Sequence, residues 1–162
     1  MMREAKGSSG RSQHGVTLPE MLVVLAIAGM FLLIAVPAGV NYVRSARIRT
    51  AADVFVKDLQ ASRYVAVTMR QPRTVSLGST PPAASYQFID VKGNTHVVDL
   101  PVGVTVETAT NFPVTFTVLG ALQGAPATAT VMGRLTPTRS HVYTVTVGAT
   151  GKVSYVVDRN AP

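Results

Sequence analysis

Cysteine and tryptophan are both absent from the 162-residue sequence. No disulfide staples this chain and no cysteine-based metal site exists in it, so its fold is held by packing or by a ligand that the sequence does not announce. Charge is also scarce, at 14% against 47% apolar residues, which excludes an intrinsically disordered chain. Acidic residues are the scarcer sign: 8 against 15 Lys and Arg, a net of +7. A length of 162 residues allows one ordinary domain and excludes a large multidomain enzyme.

The charge is unevenly placed. Residues 1–15 hold Arg3, Lys6 and Arg11 against Glu4 in a Gly/Ser-rich stretch without apolar periodicity. Met21 to Val40 then contains no charge at all, and 20 helical residues at ~1.5 Å each match a hydrocarbon core of roughly 30 Å. A secretory signal peptide fits less well, because its apolar region is shorter, about 7 to 15 residues, and is not led by an acid such as Glu20. Residues 44–73 carry seven bases and two acids, and the remainder is nearly neutral. Bases flank the span on both sides, so charge alone does not orient it.

Beyond Val40 the pattern turns amphipathic. Ile48, Ala51/Ala52, Phe55, Leu59, Ser62, Ala66 and Met69 recur at steps of three and four, the stripe of one helical face. Arg49, Asp53 and Lys57 sit four apart on another face, where opposite charges support a helix by ~0.2–0.5 kcal/mol per pair. Pro72 is expected to end the helix and Pro37 to kink it. Beyond Pro72 the sequence predicts strands over Arg73–Leu77, Ser85–Asp90, Thr95–Leu100, Val114–Leu119 and Ala127–Met132. A closing hairpin pairs Tyr143–Val147 with Val153–Val157 across a Gly-Ala-Thr-Gly turn, and Ser79–Ala84 reads as a loop. The expected class is α+β: a long N-terminal helix, membrane-spanning at about 21–40, whose amphipathic half packs on an antiparallel sheet.

Where leader meets apolar run the sequence reads Gly15-Val16-Thr17-Leu18-Pro19-Glu20-Met21-Leu22. This resembles the signal of type IV prepilins and pseudopilins. The resemblance implies that a prepilin peptidase cuts between Gly15 and Val16, that Val16 is N-methylated, and that Glu20 is the fifth mature residue. Val16 stands where Phe is usual. Leu59 to Val67, Arg70 to Val75 and Ala149 to Val153 are similar to segments of the GspH/FimT family of minor pseudopilins and minor pilins. That implies a leader at 1–15, a helix at 16–71 and a β-domain at 72–162. It also places the leader in the cytoplasm and the β-domain outside the bacterial inner membrane.

Physics gives Glu20 a role of its own. A carboxylate at the edge of an apolar helix is costly to bury alone and seeks a cation, such as the amine of a neighbouring subunit's mature N-terminus. The plainer reading is an acid that favours a helix N-terminus, worth less than about 1 kcal/mol.

An enzyme needs convergent polar groups, and few are offered. His14 lies in the leader, while His96 and His141 fall in predicted strands without a carboxylate or hydroxyl at ligand or triad spacing, and are expected to face solvent. No catalytic residue, metal or cofactor is assigned. The resulting expectation is a non-enzymatic minor pseudopilin of a type II secretion system, with prepilin peptidase, other pseudopilins, inner-membrane lipid and exoproteins as partners. The alternative is a FimT-like minor pilin of a type IV pilus used in DNA uptake. Under it, Arg134, Arg139, Lys152 and Arg159 are the candidate DNA contacts, although residues from Thr74 onward hold five bases against four acids. Arg44, Arg47 and Arg49 are expected to meet anionic lipid or neighbouring subunits.

Overall fold

The structure, a computed structural model, describes residues 17–136 and 139–161, without the side chains of 136, 139 and 159–161. Its elements run α1 (Leu18–Met69), β1 (Arg73–Leu77), β2 (Ser85–Ile89), β3 (Thr95–Asp99), β4 (Val104–Thr110), β5 (Val114–Phe116), β6 (Ala127–Thr136), β7 (Arg139–Val147) and β8 (Val153–Ala161). The chain divides into two units, residues 1–38 and 39–162.

In the first unit the described residues belong almost wholly to α1, and every one of them is exposed. The backbone N–H of Met21 donates to the Thr17 carbonyl, which opens the helix. Pro19 falls in the first turn, where its missing N–H costs nothing because that donor has no intrahelical partner anyway. Helix geometry continues unbroken through Pro37.

In the second unit the amphipathic stripe is consumed. Ile48, Ala51, Ala52, Phe55, Val56, Leu59, Ser62 and Ala66 are buried, whereas Met69, expected on the same stripe, is 45% exposed. Met69 lies in the last turn, beyond the part of the helix face that the strands cover. The helix stops at Met69, two residues before the position that Pro72 alone would allow: Arg70 takes a left-handed φ of 52°, and the Gln71 N–H returns to the Ala66 carbonyl at 3.2 Å. That is a Schellman-type ending, which satisfies a carbonyl the helix leaves unpaired.

Two antiparallel sheets, rather than one, pack on this face. The first has the order β3-β2-β1-β5 and the second β4-β6-β7-β8. The β-residues in the shared core are chiefly Val, Ala and aromatics, among them Val75, Tyr86, Val106, Phe116, Val131, Tyr143 and Val145. Phe55 anchors the centre, edge-on to Tyr86 at 4.8 Å and stacked near Phe112 at 6.3 Å. Burying each large apolar side chain contributes about 1.5–3 kcal/mol.

Strand β4 is the element the sequence reading missed. Val104 and Val106 face the core, but Val106 and Thr108 oppose the consecutive residues Val131 and Thr130, so Glu107 is an extra residue in a bulge. The bulge moves the inward phase from even positions to Ala109 and breaks the period-two signal. Other differences are at ends. The strand begun at Val114 stops at Phe116, because Gly120 N–H turns back to the Thr117 carbonyl, while β6, β7 and β8 run longer than expected. Within the predicted loop, buried Ala83 pairs with Val106 and ties the loop to the second sheet.

Candidate functional site at the N-terminal motif and the helix base

Gly15 and Val16 lie outside the described residues. Glu20 is described: it stands in the first turn of α1, exposed, three residues after Thr17. Thr-x-x-Glu is the spacing of a helix-capping box, so the plain reading of Glu20 as a helix-start acid is compatible with its position. Among the described residues no basic side chain lies within 4 Å of its carboxylate. Among the described residues the site therefore presents an acid without a basic partner at the head of an apolar helix whose Leu22, Leu25, Phe31 and Leu33 are exposed.

The other candidates separate along the second sheet. Arg134 is exposed on β6; Arg139 begins β7 and Arg159 lies on β8, their side chains outside the description. Pairing of Val142 with Asp158 and Ser140 with Ala161 brings the backbones of all three to one end of the sheet. Lys152 is exposed in the turn beyond Val147, at the other end of the nine-residue β7, roughly 26 Å away at ~3.3 Å per residue. The four bases expected as one DNA contact are thus divided three and one.

Two of the helix arginines bond within the domain. Arg44 Nη1 donates to the Leu135 carbonyl at 2.9 Å, so one of its donors is spent inside the domain. Arg63 was not singled out by the sequence, yet its Nε donates to the Gly120 carbonyl at 2.8 Å and its Nη2 to the Thr150 carbonyl at 3.3 Å. It ties α1 to two turns at once. Nothing local announces this, because the acceptors lie 57 and 87 residues away. Arg49 and Asp53 form the expected i,i+4 pair at 3.8 Å.

His141 departs from its expected solvent position: it is half-buried and its Nδ1 lies 3.2 Å from Ser45 Oγ on α1. His96 is exposed and rests edge-on to Phe88. Asp58 accepts a 2.5 Å hydrogen bond from the Tyr86 hydroxyl. Burial first, then the adjacent Asp58 carboxylate, push the Tyr86 phenol far above its ordinary value. Asp90 caps the β2–β3 turn, where the Asn94 backbone N–H foremost holds its carboxyl below the usual range. Among the described residues no three His, Cys, Asp or Glu side chains gather as metal ligands.

A helix long and apolar enough to cross a membrane, followed by a two-sheet domain packed on that helix's amphipathic continuation, defines a pilin-like α+β protein. The N-terminus agrees: residues 10–36 match the family described as the prokaryotic N-terminal methylation motif, a stretch that contains Gly15, Val16 and Glu20. The fold is similar to that of the type IV minor pilin FimU of Pseudomonas aeruginosa strain PAO1, at TM-score 0.54 and 16% identity, covering 74% of this chain and 98% of that one. It is similar also to the minor pseudopilin EpsH of the Vibrio cholerae type 2 secretion system, at TM-score 0.51 and 14% identity, covering 68% and 96%. No curated protein matches the chain in sequence.

Proposed function

We propose that the chain is a minor pseudopilin of a type II secretion system, a subunit stored in the bacterial inner membrane and drawn into a periplasmic pseudopilus. In this reading prepilin peptidase cuts after Gly15 and Val16 becomes the methylated N-terminus. The Glu20 carboxylate pairs with the N-terminal amine of an adjacent subunit and sets the axial register of the stack. The β-domain lies on the periplasmic side and meets other pseudopilins or exoproteins. Its contribution is mechanical rather than enzymatic. The observation that carries the reading is continuity: a methylation motif over residues 10–36 runs directly into an apolar helix whose side chains are exposed among the described residues.

The alternative, a FimT-like minor pilin serving DNA uptake, is supported by the likeness to FimU, a type IV minor pilin. Its proposed contact is narrower than four residues: Arg134, Arg139 and Arg159 share an end of the second sheet, and Lys152 does not.

The first test is the mass of the protein extracted from membranes. Loss of residues 1–15 and a gain of about 14 Da for one methyl group is expected, and retention of Met1 overturns the reading. Glu20→Val is expected to leave cleavage intact and to reduce incorporation into filaments. Deleting the gene then chooses the machine: exoproteins retained in the cell and restored by complementation mark the secretion pseudopilus. Unchanged secretion with reduced transformation marks the pilus.

A further inference from the structure

Three arginines meet where α1 enters the domain. Arg44 and Arg47, three residues apart on one face of the helix, line a cavity of about 340 Å³ together with Arg134 of β6 and the Val102-Gly103 turn. The approach of β6 depends on Gly133: a Cβ there would lie 2.4 Å from Ile48 Cγ1 and 2.7 Å from its Cδ1. With glycine, the strand closes on the helix and Arg134 is carried alongside Arg44 and Arg47. Arg44 is fixed there by its bond to the Leu135 carbonyl.

No carboxylate lines this cavity. Among the described residues the three guanidinium groups have no acid within 4 Å, since Arg49–Asp53 is the ion pair described. Grouping three cations around one space without a counter-charge costs free energy unless an anion occupies it, and guanidinium forks suit the oxygens of a phosphate.

Depth along the helix identifies the source of that phosphate. The uncharged run ends at Val40, so Arg44 and Arg47 lie ~6 and ~10 Å further along the axis, while the headgroup band extends about 5–8 Å past the hydrocarbon edge. Cα–Cβ bonds of a helix tilt toward its N-terminus, which leans both side chains back toward that band. Tyr42, 77% exposed, stands where interfacial tyrosines concentrate, and Val102, 96% exposed, offers an apolar tip at the rim of the cavity.

From this placement we infer that the Arg44–Arg47–Arg134 cavity binds the phosphate of an anionic phospholipid, in the leaflet on the β-domain side. The inference rests on the reading of residues 21–40 as a membrane span and deepens the lipid partnership proposed above.

The test uses the full chain in nonionic detergent, with bound lipid counted by native mass spectrometry. Short-chain phosphatidylglycerol is expected to bind roughly tenfold more tightly than phosphatidylcholine. Arg47→Gln/Arg134→Gln is expected to lose about that factor, and Lys92→Gln/Lys152→Gln, the same charge change on exposed turns, to keep it. Thermal melting checks that each variant is folded, and Arg134→Gln alone, expected to weaken binding severalfold, serves where the double variant is not. Equal weakening by both doubles, or no preference for phosphatidylglycerol, overturns the site. Displacement of the lipid by equimolar inorganic phosphate overturns the lipid as its ligand. The N-terminal mass is read on the same sample. Lipid preference in a chain that keeps Met1 leaves this site standing and removes the pseudopilin reading, whereas a processed chain without the preference removes this site alone.

Discussion

One helix carries two opposite solutions to the problem of apolar surface. From Leu18 to Val40 every residue is exposed, Leu33 at 77%, and the apolar side chains go all the way round. From Ile48 to Ala66 the apolar residues keep to one stripe and are buried by strands of the same chain, Phe55 and Leu59 at 0%. A helix apolar on all sides has no single face to offer a sheet, so its burial must come from outside the chain, from lipid or from other helices. A one-sided helix is completed internally. The difference teaches that patterning, more than average hydrophobicity, divides anchor from domain, and substitutions in the two halves should therefore fail in different assays.

The largest effect is expected in the domain half. Phe55→Ala removes the ring that Tyr86 and Phe112 pack against and should lower stability by about 3–5 kcal/mol, read as a depressed thermal midpoint of the full chain in detergent. Leu32→Arg, mid-span, should leave that midpoint within about 0.5 kcal/mol, because Leu32 touches no core. Its cost appears in membrane retention, at about 2.5–3.5 kcal/mol for an arginine at the centre of a span. If Leu32→Arg melted the domain, or Phe55→Ala released the chain from membranes while leaving the midpoint alone, the division would be wrong.

The sequence makes this division legible because it is written in local spacing. The stripe from Ile48 to Ala66, the uncharged run to Val40 and the Gly15 to Glu20 motif each depend on residues within a few turns of one another. What escaped depends on distance or on a lost phase. Strand β4 was hidden by the Glu107 bulge, and Met69 kept the period while standing past the covered part of the face. The split into two sheets is a matter of which strands pair, and Arg134 meets Arg44 and Arg47 only through a glycine contact 85 residues from Ile48. Of the N-terminal site, spacing reveals the motif; Gly15 and Val16 lie outside the described residues.

Two smaller effects sharpen how the amphipathic half is fastened. Arg63→Ala should cost about 1–3 kcal/mol, since it leaves the Gly120 carbonyl without its charged donor and frees the Thr150 turn. Arg63→Gln should recover part of that loss in the same melting experiment. A larger loss than Phe55→Ala would mean that polar tethers, rather than the core stripe, fasten the helix.

The smallest effect is a pH signature at Tyr86. The Tyr86 phenol is raised far above its ordinary value of about 10, so the folded protein keeps that proton where the unfolded chain has released it. A raised folded value means the contribution is whole below about pH 10 and is lost as the pH climbs above it. The loss approaches about 1.4 kcal/mol per pH unit at its steepest. Melting between pH 9 and 11 should therefore show a steeper fall for the natural chain than for Tyr86→Phe, which has no proton to lose at that position. The Phe variant should start lower at pH 9, by about 1 kcal/mol, for want of the bond to Asp58. Parallel curves would mean that the phenol ionises as freely in the folded domain as outside it. The contact between α1 and β2 would then be apolar packing alone, the same kind of contact that carries the rest of the stripe.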